Sequence, residues 1–155
     1  MNKYTYIADE QLWGPEKWES LELNYNNKIS NAVSEDKAYY FGKELGRKIL
    51  KNYSKSFFTV TRFLPKHKRD LVEIVYAAVR YPDEIVDTFN LSDEQKENLL
   101  NDWGEKYKFS RQYTSLISSV NNKVPVILSG FRKLSLDKLI PEKYYFSFLN
   151  AMKKD

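Results

Sequence analysis

Lys66-His67-Lys68-Arg69-Asp70-Leu71-Val72-Glu73-Ile74-Val75-Tyr76-Ala77-Ala78-Val79-Arg80-Tyr81-Pro82-Asp83-Glu84-Ile85-Val86-Asp87-Thr88-Phe89 is the stretch on which the fold turns. Leu71, Ile74, Val75, Ala78, Ile85 and Phe89 fall on one side at helical spacing, and Pro65 is a good first-turn residue because its fixed φ suits a helix start. At about 100° per residue, Tyr76, Arg80, Asp83 and Asp87 cluster opposite that stripe, together with Glu73 and Glu84. Asp83 and Asp87 are four apart, so their Cβ atoms lie about 5–6 Å from each other and their oxygens can converge on one hard cation. The same pattern also describes a helix showing its polar face to water, and spacing alone leaves both readings open. Pro82 removes a backbone hydrogen bond and is expected to kink the helix one residue before Asp83, aiming both carboxylates.

Working outward, Ser34 is a good N-cap, with Glu35 and Asp36 in the positive first turn of a helix that carries Ala38, Phe41, Leu45 and Ile49 and ends near Asn52. Gly42 and Gly46 thin that helix and allow close packing. Tyr53-Ser54-Lys55-Ser56 reads as a polar turn feeding a short buried helix that ends before Pro65. Ser92-Asp93-Glu94-Gln95 is a capping box opening a helix with Leu99, Leu100 and Trp103 on its buried side, and a polar stretch follows to about Gln112. Tyr113 to Val120 reads as helix or extended chain, Asn121-Asn122-Lys123 as a turn, and Val124 to Leu134 as a helix. The last helix begins at Ile140-Pro141 and carries Tyr144, Tyr145, Phe148, Leu149 and Met152.

No strand alternation and no repeat is visible, so the expected fold is a single all-α helical bundle. Its expected extent is residues 34–155, truncated at the C-terminus because helix-spaced apolar residues run up to Asp155 without a cap. Residues 1–33, rich in Asn and aromatics, read as an irregular N-terminal arm with a short helix, broken at Trp13-Gly14-Pro15 and anchored by Trp18, Leu21 and Leu23.

Composition narrows the chemistry. A 155-residue chain with 42% hydrophobic and 15% aromatic residues can bury a core. Its 25 basic against 21 acidic residues give a net charge of +4, too mild to demand a polyanion. With no cysteine and one histidine, the metals left are those that take oxygen ligands, such as Mg²⁺. The cysteine-free chain suits a reducing cytoplasm, and the first ten residues lack the apolar core of a signal peptide. His67 with Lys66, Lys68 and Arg69 forms a basic cluster that reads first as a solvated helix start, and second as a site for phosphate, lipid or nucleic acid. The aromatic interleaving of single-strand binders is absent, so nucleic acid is not an expected partner.

Ser54-Lys55-Ser56-Phe57, Leu64-Pro65, Arg69, Tyr76-Ala77, Arg80 and Asp83-Glu84-Ile85-Val86-Asp87, in this order and spacing, resemble the N-terminal half of the squalene/phytoene synthase family of head-to-head prenyltransferases. A weaker likeness continues through Val124-Pro125-Val126 and Ile140-Pro141 to Met152 and Asp155. The resemblance implies the isoprenoid synthase type of fold and a role in isoprenoid or carotenoid biosynthesis. It implies Asp83 and Asp87 as a catalytic Mg²⁺ pair flanked by Glu84, and Arg80, Ser54, Lys55 and Ser56 at the diphosphate of farnesyl or geranylgeranyl diphosphate. Phe57 and Tyr76, with Phe58, would line an apolar cavity for the prenyl chain. Three positions depart from the family pattern: Tyr53 stands where histidine is common, Pro82 is unusual, and the second Asp-x-x-x-Asp motif is absent. The resemblance therefore implies a site completed by a C-terminal half or a second chain, or else a non-catalytic helical scaffold. A greasy substrate further implies peripheral contact with a membrane.

Overall fold

The computed structural model describes residues 12–154. Among them are eight helices and no strand: α1 (Pro15–Ser30), α2 (Glu35–Tyr53), α3 (Lys55–Thr61), α4 (Lys66–Asp87), α5 (Asp93–Ser110), α6 (Leu116–Asn121), α7 (Val126–Lys138) and α8 (Glu142–Lys154). The all-α expectation holds. Residues 1–11 and Asp155, which the sequence reading included in the arm and the last helix, lie outside the described residues.

Most of the described part of the expected irregular arm, residues 12–33, is helix. Pro15 opens α1 after an extended Gly14, and Trp18, Leu21, Tyr25 and Ile29 bury a stripe one residue wide. Asn24, Asn26 and Asn27 weaken the helical signal in the sequence, but they lie off that stripe, and packing of the stripe overrides their low propensity. Ser34 caps α2 as expected, its hydroxyl accepting from the Lys37 N–H at 3.1 Å. Gly46 is required by a close approach: a Cβ there would lie 2.5 Å from the Glu73 carbonyl oxygen on α4. The α2–α4 contact this permits is the most extensive in the bundle.

α3 departs from expectation. Instead of being buried, Phe57 is 43% and Val60 59% exposed, and Phe63 in the following turn is 86% exposed. The helix is only seven residues long and packs mainly against α2, so one side has nothing to cover it.

α4 is central, touching α2, α5, α7 and α8. That position rules out the solvated-face reading for Glu73 and Glu84, which spacing alone leaves open: both are fully buried. A helix flanked on several sides cannot send all its polar residues to water, so buried acids must find cations instead.

Pro82 is buried and does not interrupt α4. It leaves the Ala78 carbonyl, four residues earlier, without its helical donor. The Tyr145 hydroxyl of α8 supplies the replacement at 2.6 Å, and the Trp103 indole N–H of α5 donates to that same hydroxyl at 2.9 Å. Three helices are thereby tied together at the proline.

The capping box opening α5 is present, with both Ser92–Gln95 hydrogen bonds formed. The helix continues past Gly104 to Ser110, through much of the stretch read as merely polar. Two carboxylates cap helices other than their own. Glu22 of α1 accepts the Val126 and Ile127 N–H groups at 2.6 and 3.1 Å, opening α7. Glu35 of α2 accepts the Leu116 and Ile117 N–H groups at 2.8 and 3.3 Å, opening α6 and settling the helix-or-extended segment as helix from Leu116.

Candidate functional site

The site is built where α2 ends, α3 begins and the later turns of α4 pass beside them. Ser54 closes one helix and opens the next: its N–H donates to the Leu50 carbonyl at 2.9 Å, and its own carbonyl accepts from Phe58 at 2.8 Å. Its hydroxyl makes no cap, and its extended φ of −146° turns the chain sharply. Lys55 and Ser56 are exposed on the first turn of α3.

Tyr53, just before this corner, is an aromatic platform. Its ring stacks on Trp18 at 5.7 Å, and its hydroxyl accepts the Trp13 N–H at 3.3 Å. The Arg80 guanidinium lies 4.5 Å from the Tyr53 ring centroid, a cation–π contact. Burial, then the Glu84 charge, pushes the Tyr53 phenol up to about 12.

Arg80 reaches two acids from its own helix. Its Nη1 is 3.5 Å from Asp83 Oδ2, and its Nη2 contacts Glu84 Oε1. Burial works against the Arg80 charge, but Glu84, Tyr76 and Asp83 outweigh it and hold the guanidinium pKa above its usual value. The Glu84 carboxylate, which the resemblance implies as flanking the metal pair, is fully buried and contacts Arg80.

Asp83 and Asp87 lie one turn apart on α4. Burial raises the Asp83 pKa most, and the neighbouring Asp87 raises it further, with Arg80 opposing both. Two carboxyl groups this close cannot both ionise without cost unless a cation joins them. Among the described residues no cluster of three His, Cys, Asp or Glu side chains is arranged to hold a metal. The donor set fits Mg²⁺ nonetheless, because that ion takes one or two carboxylates and fills its octahedron with phosphate and water oxygens.

Tyr76, one turn before Arg80, extends the stripe. Burial raises its phenol pKa while the neighbouring Arg80 lowers it. Its ring centroid lies 6.4 Å from that of Phe57 across the α3–α4 gap. Thus Phe57, Tyr76, Arg80, Asp83 and Asp87 form one connected surface, which Ser54, Lys55 and Ser56 adjoin through their chain neighbours Tyr53 and Phe57.

Sequence reasoning missed a second buried pairing beneath this surface. Glu73 Oε1 receives Arg47 Nε at 3.1 Å and also contacts Arg62 Nη2, joining α2 and the α3–α4 turn to α4. The Arg62 guanidinium lies 4.2 Å from the Phe58 ring centroid, so Phe58 packs under an arginine. The available signal was Glu73 and Glu84 standing eleven residues apart, three helical turns, hence on one line of α4. A separate cavity of about 560 Å³, walled by Trp18, Glu22, Tyr81, Trp103, Lys106 and Ile127, includes none of the expected site residues.

The family profile described as squalene/phytoene synthase matches residues 50–155, from the end of α2 through the whole of α8. No curated protein and no solved structure matches the chain. The matched region is more than half of the sequence and contains the entire Phe57-to-Asp87 surface, so the chain belongs to the squalene/phytoene synthase family.

Proposed function

We propose that this chain binds a prenyl diphosphate, of the farnesyl or geranylgeranyl class, through Mg²⁺ at Asp83 and Asp87. The observation that carries the reading is the placement of Asp83 and Asp87 one turn apart on α4, with Arg80 Nη1 3.5 Å from Asp83 Oδ2; burial, then Asp87, also raises the Asp83 pKa. Such a pair gains most from a divalent cation. When bound, Mg²⁺ would neutralise charge on the diphosphate and favour ionisation of the allylic carbon–oxygen bond.

The protein's own residues have separable tasks in this reading. Asp83 and Asp87 supply the anionic oxygens. Arg80, held against Tyr53 and Glu84, offers its exposed edge to a phosphate oxygen. Lys55 and the Ser54 and Ser56 hydroxyls add donors from the start of α3. Tyr76 and Phe57 present ring surface to the first carbons of the prenyl chain, where aromatic faces favour developing positive charge and exclude water.

Head-to-head condensation, and any step in carotenoid formation, would engage a second prenyl diphosphate. The Asp83–Asp87 pair serves one diphosphate, so that activity is proposed only with further carboxylates, from more of the same protein or from a second chain. The test is equilibrium binding of a non-hydrolysable farnesyl thiodiphosphate with and without Mg²⁺. Binding should require Mg²⁺ and weaken at least tenfold in Asp83→Ala and in Asp87→Ala. Mg²⁺-dependent binding unchanged in both variants would show the metal pair to be wrongly assigned, and no binding at all would favour a helical scaffold.

A further inference from the structure

The cavity of about 560 Å³ that holds none of the expected site residues is walled by α1, α4, α5 and the chain entering α7. Much of its wall is aromatic. The Tyr81 ring centroid is 5.2 Å from that of Trp18 and 4.4 Å from that of Trp103, and Val124 and Ile127 extend the apolar surface. Glu19 and Glu22 of α1 line the same space, three residues apart and therefore on one side of their helix. Asp102 and Lys106 of α5 line it too, but they pair with each other at 2.8 Å. Among the described lining residues, that leaves the exposed Lys123 alone to set against two carboxylates.

The electrostatics of the wall agree with this imbalance. Burial, then Glu22, Glu19 and Asp102, pushes the Tyr81 phenol up to about 12, so three carboxylate charges act together on one ring of the cavity. Burial also pushes the Glu22 carboxyl up to about 7, against the bonds from Ile127 and Val126 and the charge of Lys106. A cation in the cavity would hold that carboxylate ionised.

We propose that this cavity binds a monovalent organic ammonium ion, its charge beside Glu19 and Glu22 and its apolar body against Trp18, Tyr81 and Trp103. Charge complementarity and the rings together select this class. An anion would meet two carboxylates. An uncharged hydrocarbon would strip water from the same carboxylates and give nothing in return. A hard metal ion needs a shell of oxygen donors, which a wall of indole and phenol rings does not supply. An organic ammonium is stabilised by carboxylates and ring faces alike, and the volume lies within the roughly 300–1,000 Å³ of small-molecule sites. Trp18 also stacks on Tyr53 beneath Arg80, so the cavity and the diphosphate site adjoin at one indole, yet ammonium binding needs neither metal nor diphosphate.

The experiment is titration calorimetry of the full chain with benzyltrimethylammonium at pH 8, in buffer free of Mg²⁺ and prenyl diphosphate. The ammonium should bind saturably, and uncharged benzyl alcohol and anionic phenylacetate at least about tenfold more weakly. Glu19→Gln, at an exposed position, should weaken the ammonium about threefold or more, and Glu19→Gln/Glu22→Gln about tenfold or more. A melting temperature no lower than the parent's verifies that each variant is folded. Failure of the ammonium to bind overturns the proposal, as does equal binding of benzyl alcohol, the mark of a merely apolar slot, or full retention of binding by both glutamate variants. Loss of binding in Asp83→Asn/Asp87→Asn, with Glu19→Gln at the parent value, would put the cation at the metal pair and overturn it as well.

Discussion

Replacing Tyr145 by phenylalanine removes one oxygen and leaves two polar groups without partners. The lost hydroxyl donates to the Ala78 carbonyl at 2.6 Å and accepts from Trp103 Nε1 at 2.9 Å. All three residues are within 5% of full burial, so water cannot easily substitute. A buried group deprived of its hydrogen bond costs about 1–3 kcal/mol, which puts the two orphaned by Tyr145→Phe at roughly 2–6 kcal/mol of lost stability. The Ala78 share of this loss exists only because Pro82 has no N–H to give. In a Pro82→Ala background the residue at 82 can donate to that carbonyl, and Tyr145→Phe should then cost at least about 1 kcal/mol less. Urea denaturation followed by far-ultraviolet circular dichroism on the parent, the two single variants and the double variant completes the cycle. Equal costs of Tyr145→Phe in both backgrounds would refute the idea that the tyrosine compensates for the proline.

Three further outcomes follow from particular contacts. Gly46→Ala should destabilise by about 1–3 kcal/mol, since its Cβ would sit 2.5 Å from backbone, whereas Gly42→Ala, with nothing nearer than 4.0 Å, should be neutral or stabilise by up to about 1 kcal/mol; thermal melts of the pair decide it. Burial raises the Glu22 pKa from 4.5 to about 7 despite the bonds from Ile127 and Val126, so the folded protein holds a proton that the unfolded chain releases between those values. Stability should therefore fall as pH rises from about 4.5 to 7, and Glu22→Gln should exceed the parent at pH 8, by at most about 3 kcal/mol, with the gap closing towards pH 5. Asp83→Asn should raise the melting temperature at neutral pH without metal, because it relieves the crowded carboxyl pair, and should abolish any stabilisation by added Mg²⁺; a lower melting temperature would speak against strain in the pair.

Local signals carried most of the fold. Ser34 and the Ser92–Gln95 box marked helix starts correctly because capping depends on residues within one turn. What failed depended on distant neighbours. Spacing leaves a solvated face open for Glu73 and Glu84; only Arg47, Arg62 and Arg80, the first two from outside α4, make their burial tolerable. Phe57, Val60 and Phe63 were assigned to the core because apolar runs usually are, and the sequence holds no record of which side of so short a helix lacks a neighbour. The candidate site divides the same way. The Asp83–Asp87 proximity follows from an i, i+4 spacing, whereas the Tyr53–Trp18 platform beneath Arg80 joins residues far apart in the chain and has no local signature.

The central claim, that Asp83 and Asp87 hold a divalent cation against a diphosphate, is tested most directly by the coupling between the two ligands. Titration calorimetry of farnesyl thiodiphosphate with and without Mg²⁺, and of Mg²⁺ with and without the analogue, gives one coupling factor by two routes. The account predicts that each ligand tightens the other at least tenfold in the parent chain, beyond what their own association in buffer contributes, and that this factor falls to about one in Asp83→Asn/Asp87→Asn. A factor that stays at the parent value in the double variant would contradict the account.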